Sequence, residues 1–186
     1  MKTKWIASKT RSLVLVIMAA VIVLASHGCE KDHDPREIGK LPVIVDDSPS
    51  IESEYFWVDQ GGSSVNALKG SVTLEFPKGA VTEPTQFTLK KSKLNCMDRE
   101  TNLMNCSITL SSNSRDEFFN EPVLLKLHYC LSDFSNPNAV NEEDITIYRI
   151  ETNGYAYSIG DCTADAGGKM ISGYIDECGT FVLGEY

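Results

Sequence analysis

The feature that most restricts the fold of this chain is a series of short segments in which apolar and polar residues alternate. Val72–Phe76 and Ile145–Ile150 have this pattern, which is typical of half-buried strands. Asn153-Gly154 separates Ile145–Ile150 from Tyr155–Ile159 and predicts a hairpin whose two turn residues both have positive φ. No long segment has the 3.6-residue period of an amphipathic helix. The sequence therefore predicts an all-β fold, either an antiparallel sandwich or a barrel.

Other segments of similar length, separated by glycine and proline turns, predict further strands. They are Gln86–Lys90, Ser107–Leu110, Val123–Cys130, Lys169–Ile175 and Phe181–Leu183. Val123–Cys130 is the most apolar and is predicted to be central. Leu41–Val45 could add an edge strand, because Pro42 cannot donate a ladder hydrogen bond.

The N-terminal residues 1–28 read as a secretory signal. Residues 1–28 contain no Asp or Glu. Four cations precede Leu13–Ala25, which is an uninterrupted apolar run. That run is shorter than the ~20 residues that a membrane-spanning helix needs. A basic start, a short apolar run and small residues at its end are typical of a cleaved export signal.

The segment ending in Ser26-His27-Gly28-Cys29 resembles the lipobox of bacterial lipoproteins, in which a cysteine receives diacylglycerol. The charged run Glu30–Asp34 resembles the acidic segment that follows this cysteine in surface lipoproteins of Bacteroides-like bacteria. The resemblance implies acylation of Cys29 and attachment to the bilayer of the outer membrane, on the surface or the periplasmic face. Ordinary cleavage before Cys29, and an uncleaved anchor, are the alternatives.

The remaining sequence divides into a tether and one domain. Residues 29–54 are charged, carry three prolines and are predicted to be a tether. Residues 55–186 are predicted to form the β-domain. Subtracting the four N-terminal cations from 17 leaves 13 against 26 acidic residues, so the exported part carries a charge of about −13. So acidic a chain is not expected to bind nucleic acid.

Several segments, in order, resemble the ZU-five module of zonula occludens proteins, netrin receptors and ankyrins. Gly61-Gly62 followed by Gly70–Val81, with its Phe-Pro-Lys-Gly-Ala sequence, is similar to the opening of the module. Glu121-Pro122-Val123, Ile145–Arg149 and Gly179–Leu183 are similar to later strands. The resemblance spans about residues 61–183. It implies a β-sandwich that serves as an interaction surface.

Some relatives of that module cut their own chain at a His-Phe-Ser sequence before the last strand. The matching residues here are Glu177-Cys178-Gly179. The histidine and the serine are both missing, so self-cleavage is not expected.

The cysteines of an exported protein favour disulfides over zinc, since none of them forms a C-x₂₋₄-C pair. We expect Cys96 to pair with Cys106 across a polar loop, and Cys162 to pair with Cys178. Acylation of Cys29 would leave Cys130 unpaired. A reducing habitat could leave all of these thiols free.

The sequence offers few candidate catalytic or metal-binding residues. His128 lies in a predicted strand on its solvent side, and no Gly-x-Ser-x-Gly sequence is present, so no catalytic residue is assigned. No metal site or cofactor is predicted, because the acidic clusters lack the spacing of a calcium loop.

The predicted function is therefore non-catalytic binding or scaffolding of a protein or glycan. Tyr148, Tyr155 and Tyr157 are candidates for an aromatic ligand surface, although they could equally be cross-strand pairs. The alternative is a hydrolytic or glycan-processing enzyme with loop carboxylates, which leave no local signature. A clustered pair of buried acids in a deep pocket would favour the enzyme, whereas a flat surface and acids with satisfied partners would favour binding.

Overall fold

In the part of the chain that the structure describes, thirteen strands form two antiparallel sheets. The structure is a computed structural model that describes residues 43–45, 50–96, 102–114 and 118–185. The strands are β1 (Val43–Val45), β2 (Glu52–Val58), β3 (Ser63–Ala67), β4 (Val72–Phe76), β5 (Thr85–Cys96), β6 (Asn102–Leu103), β7 (Cys106–Ser112), β8 (Phe118–His128), β9 (Ile145–Ile150), β10 (Ala156–Ser158), β11 (Thr163–Asp165), β12 (Met170–Glu177) and β13 (Gly179–Glu185).

The larger sheet has the order β1-β5-β7-β13-β9-β10, with β2 also pairing to β5 and β6 to β13. The smaller sheet has the order β11-β12-β8-β4-β3. The two sheets pack against each other, which confirms the predicted all-β antiparallel sandwich. Four short 3-10 turns, at Leu68–Gly70, Leu131–Asp133, Pro137–Ala139 and Glu142–Asp144, connect strands in the described part of the chain.

A cluster of phenylalanines holds one end of the sandwich together. Phe76 and Phe87 come from different sheets, and their ring centroids are 5.1 Å apart. Phe56 stacks on Phe87 at 5.7 Å, and Phe119 meets Phe76 edge-on at 5.8 Å. Alternation of apolar and polar residues along β4 sends Val72, Leu74 and Phe76 into this interface.

The two N-terminal strands lie end to end along the same edge of β5. Val43–Val45 pairs with Leu94–Cys96, and Glu52–Val58 pairs with Thr85–Lys91. The edge strand predicted within Leu41–Val45 is therefore present. Both strands begin before Tyr55, so the folded part extends into the segment predicted as tether. β2 is difficult to recognise in the sequence, because its partly buried positions 52 and 54 are charged and its exposed positions 55 and 57 are aromatic.

The predicted hairpin is present between β9 and β10, with Ala156 opposite Ile150. Its turn differs from the prediction. The Glu151 amide donates to the Tyr155 carbonyl, which leaves a three-residue loop, and Gly154 has φ 81° whereas Asn153 is not in the positive-φ region. The Asn153 side chain instead accepts from the Tyr155 amide. A third loop residue removes the need for a second positive φ.

Two glycines of the ZU-five-like opening occupy backbone conformations that other residues rarely adopt. Gly79, after Pro77, has φ 87°, as its place in a turn predicts. Gly62 has φ 80°, and a Cβ there would lie 2.5 Å from the Phe76 carbonyl oxygen. Glycine at 62 therefore allows the loop after β2 to lie against the end of β4.

Candidate functional site

An arginine joins two carboxylates at one side of the sandwich. Arg149 projects from β9, and its Nε lies 3.3 Å from Glu151 Oε1. One terminal guanidinium nitrogen of Arg149 donates to Glu177 Oε1. The Arg149 and Glu177 side chains are 27% and 20% exposed, so the pair is partly shielded from water but reachable from it.

Gly179 makes room for this arrangement. A Cβ on Gly179 would lie 3.2 Å from Arg149 Nε, which is tighter than ordinary van der Waals contact. The guanidinium can therefore lie across the start of β13 and reach Glu177 at the end of β12. The Gly-Thr-Phe sequence of the closing strand thus has a local steric role.

The three side chains line a groove of about 210 Å³. Its walls come from β9, β10, β12 and β13, and its lining residues are Arg149, Glu151, Tyr157, Ser158, Ile159, Tyr174, Ile175, Asp176, Glu177 and Phe181. Asp176 and Tyr174 are exposed, whereas Ile175 and Phe181 form the apolar floor. One cation faces three carboxylates, so the groove carries a net charge of −2 at neutral pH.

The groove lies between two strand edges. Among the described strands, β10 is the last one of the larger sheet and pairs only with β9. β11 covers Met170–Ser172 of β12, but no strand of the described chain pairs with Gly173–Glu177 on the side away from β8. Backbone donors and acceptors of this segment are therefore available to a ligand with an extended backbone.

A second polar cluster ties the 3-10 turn at Glu142–Asp144 to the smaller sheet. Lys169 Nζ donates to Glu142 Oε1 at 2.6 Å, and the Tyr129 hydroxyl donates to Glu142 Oε2 at 2.7 Å. The hydrogen bonds from Lys169 and from Tyr129 lower the pKa of Glu142. Burial and the bond to Glu142 raise the pKa of Tyr129 well above its usual value. Both carboxylate oxygens of Glu142 accept hydrogen bonds from within the protein, which is typical of a structural role.

At neutral pH, Glu142→Gln should lower the stability of the protein relative to the wild type. This difference in stability should become smaller as the pH falls. A lowered pKa in the folded state gives stability that is present above the ordinary carboxyl pKa and is lost as pH falls through the folded-state value. Urea midpoints measured from pH 7 to pH 3 should therefore converge for the two proteins. Glu143→Gln, at the exposed next residue, is the control. A difference that stays constant with pH would contradict this assignment.

A larger cavity, of about 470 Å³, lies beside the phenylalanine cluster. Its lining residues are Ala80, Val81, Thr82, Thr85, Phe87, Ser112, Ser114, Phe118, Phe119 and Asn120. None of these described lining residues is ionisable. It adjoins positions outside the described residues. We therefore place the candidate site at the Arg149 groove, where charged groups converge.

The tyrosines predicted to form a ligand surface are not brought together as one patch. Tyr148 is 3% exposed and belongs to the core, which leaves little of its side chain for a ligand. The side of β9 that carries Tyr148 is covered, which the strand alternation alone does not indicate. Tyr157 lines the groove opposite Arg149 in the strand register, and Tyr155 is half-buried near the hairpin turn. No sequence pattern indicates Tyr174, Arg149 or Glu177 as ligand-binding residues.

The strand register argues against the predicted Cys96–Cys106 bridge. Cys106 has a free thiol and pairs with Lys93, three residues before Cys96 on β5. That offset puts the two Cα atoms roughly 10 Å apart, beyond the ~7 Å that a disulfide spans. Burial raises the pKa of the Cys106 thiol, with Lys91 opposing the shift.

The predicted Cys162–Cys178 bridge does not fit the register either. Cys162 has a free thiol, and its Sγ lies 3.1 Å from where a Gly173 Cβ would be. Cys178 follows β12, five residues beyond Gly173, or roughly 17 Å along an extended strand. Cys130, predicted to be unpaired, has a free and exposed thiol.

The remaining sequence predictions concern His128, metal ions and the N-terminal segment. His128 ends β8 and is exposed, on the solvent side as predicted. Within the described ranges, no group of three or more His, Cys, Asp or Glu residues could hold a metal ion. A search of the same ranges finds no helix long and apolar enough to cross a membrane. Cys29, the signal and the acidic run after it lie outside the described residues.

Comparison with protein-family models and with curated protein sequences finds no match for this chain.

Proposed function

We propose that this chain is a lipoprotein, anchored to the bacterial outer membrane through Cys29, whose ZU-five-like β-sandwich binds a protein partner without catalysis. The groove at Arg149 is the proposed binding site. The observation that carries the proposal is the position of this groove between the edge strand β10 and the Gly173–Glu177 segment of β12, which pairs with β8 but has no described strand on its other side.

The open edge favours an extended peptide segment as the ligand. A peptide can add to a sheet edge through main-chain hydrogen bonds, while alternate side chains enter pockets beside the edge. The groove supplies such a pocket, with Tyr157 on one side and Tyr174, 62% exposed, on the other. Its charge of −2 favours a segment that carries Lys or Arg.

The state of the acids supports binding over hydrolysis. Glu151 and Glu177 contact the same guanidinium, so they form a filled ion-pair cluster. A glycosidase needs one carboxyl group to donate a proton and another to face the sugar. Carboxylates that hold an internal arginine are poorly placed for either step.

Charge reversal at the groove rim tests the proposal. Asp176→Lys changes an exposed residue and should leave the fold intact. A library of displayed decapeptides selected on the unchanged protein should be enriched in Lys and Arg. The selected peptides should bind the Asp176→Lys protein at least ~10-fold more weakly, equivalent to ~1.4 kcal/mol.

Glu143→Lys is the matched control, because it makes the same charge change at an exposed residue outside the groove. Equal weakening by both variants would indicate a general charge effect and contradict a site at the groove. Selection of neutral peptides with no loss in Asp176→Lys would do the same. Binding of neutral oligosaccharides that Tyr157→Ala abolishes would replace the peptide with a glycan.

A further inference from the structure

The outward face of β2 carries large apolar side chains that the fold does not use. Ile51, Tyr55 and Trp57 are 56%, 72% and 62% exposed, and they account for three of the five large hydrophobic residues exposed in the described part of the chain. Alternation along the strand places Tyr55 and Trp57 on one face, while Phe56 points into the phenylalanine cluster.

Residues that neighbour these side chains across the sheet are polar or basic. The register pairs Ser53 with Lys90, Tyr55 with Thr88 and Trp57 with Gln86. Lys90 is exposed. The next strand contributes Ser111 opposite Thr88 and Thr109 opposite Lys90. No acidic residue is among these partners, although the chain carries a net charge of −9.

The chain enters the domain at this same edge. β1 pairs with β5 directly beyond the Ile51 end of β2. The 13 residues from 30 to 42 separate β1 from Cys29. A flexible chain of that length has a root-mean-square span of roughly 20 Å. A lipid on Cys29 would therefore keep the β2 face close to the bilayer.

We infer that the β2 face, formed by Ile51, Tyr55, Trp57 and Lys90, rests on the lipid surface to which Cys29 is attached. This inference depends on the proposed lipid anchor. Tyr and Trp suit the boundary between headgroups and acyl chains, since each has an apolar ring and a polar group. Lys90 would face anionic headgroups, and the acidic remainder of the domain would face away from them.

Because the domain is tethered to the bilayer, a weak contact is sufficient to hold the β2 face on the lipid surface. A short link raises the effective concentration of the face at the bilayer to the millimolar range. Three side chains that give only a modest affinity in free solution would then be bound most of the time. The open edge of the Arg149 groove belongs to other strands, so contact through β2 leaves it available to a partner.

Trp57 is a built-in reporter for this contact. The sequence has two tryptophans, and Trp5 lies in the predicted signal, so the processed chain has Trp57 alone. The full processed protein is reconstituted into vesicles of phosphatidylethanolamine and phosphatidylglycerol that contain lipid brominated on the upper acyl chain. Bromine should quench roughly half or more of the Trp57 emission, since an indole at the headgroup boundary lies within contact range.

The double change Ile51→Ser and Tyr55→Ser should remove more than half of that quenching while leaving Trp57 in place. Phe118→Ser, which removes an aromatic side chain of 68% exposure from another strand, should leave it unchanged. Quenching that is absent in the unchanged protein, or protection of Trp57 by a second copy of the chain, would overturn the inference.

Mass spectrometry of the same sample separates the two proposals. A processed chain with the mass of acyl groups on Cys29 and an unquenched Trp57 would refute the membrane contact and leave the anchor standing. A chain without acyl mass would refute the anchor, and the membrane contact with it.

Discussion

Replacing Cys29 by serine should release the protein from membranes completely. Serine has no thiol to accept diacylglycerol, and each buried CH₂ of an acyl chain contributes about 0.8 kcal/mol of membrane affinity. Two or more chains hold a protein stably, whereas the β2 face alone cannot. Fractionation of cells that express the variant should move the protein from the membrane to the soluble fraction, and labelling by a fatty-acid analogue should disappear.

A matched control is Cys130→Ser, which removes an exposed thiol from the domain. It should leave labelling and fractionation unchanged. Retention of the Cys29→Ser protein in the membrane, together with an unlabelled wild type, would show that the apolar N-terminal run is itself the anchor. Release of a lipid-free wild type into the medium would instead indicate ordinary secretion.

Phe87→Ala should strongly destabilise the domain. Phe87 is 1% exposed and its ring contacts Phe56, Phe76 and Phe119. Removing a buried ring of this kind costs about 3–5 kcal/mol, because the lost burial is combined with the cavity that remains. Thermal unfolding followed by circular dichroism should show a midpoint lower by roughly 10 °C or more.

Phe118→Ala provides the comparison. Its ring is 68% exposed beside the same cluster, so its loss should change stability by no more than about 0.5 kcal/mol. A Phe87→Ala protein that unfolds with the wild type would mean that the two sheets do not depend on this cluster for their packing.

Strands with regular alternation were the easiest to predict. The bounds of β4 and β9 match the predicted Val72–Phe76 and Ile145–Ile150, since one face of each is apolar and the breaks are marked by glycine, proline or acidic residues. The first three residues of β2 were assigned to the tether, because Glu52 and Glu54 are charged and the outward Tyr55 and Trp57 remove the contrast between apolar and polar positions.

The candidate site could not be predicted, because its parts come from different sheets. Arg149 and Glu177 are 28 residues apart in sequence, and the crossing from β12 to β13 brings them together. The Cys96–Cys106 prediction depends on strand register, which spacing does not give. Spacing suggested that Cys96 and Cys106 close one loop, but the register of β5 with β7 offsets them by three residues.

The unequal lengths of the two N-terminal ladders have a mechanical consequence. β1 is held to β5 by three residue pairs, whereas β2 is held by seven. A force that pulls on the chain from its N-terminal side reaches β1 first, and the shorter ladder separates first. Val43 and Glu52 pair with Cys96 and Lys91, which lie five positions apart and so roughly 16 Å from each other along β5. The nine residues 43–51 reach roughly 30 Å when extended at ~3.3–3.6 Å per residue, so release of β1 would lengthen the connection by roughly 15 Å while β2 and the sheets behind it stay folded. β1 would thus extend under load and shield the domain from unfolding.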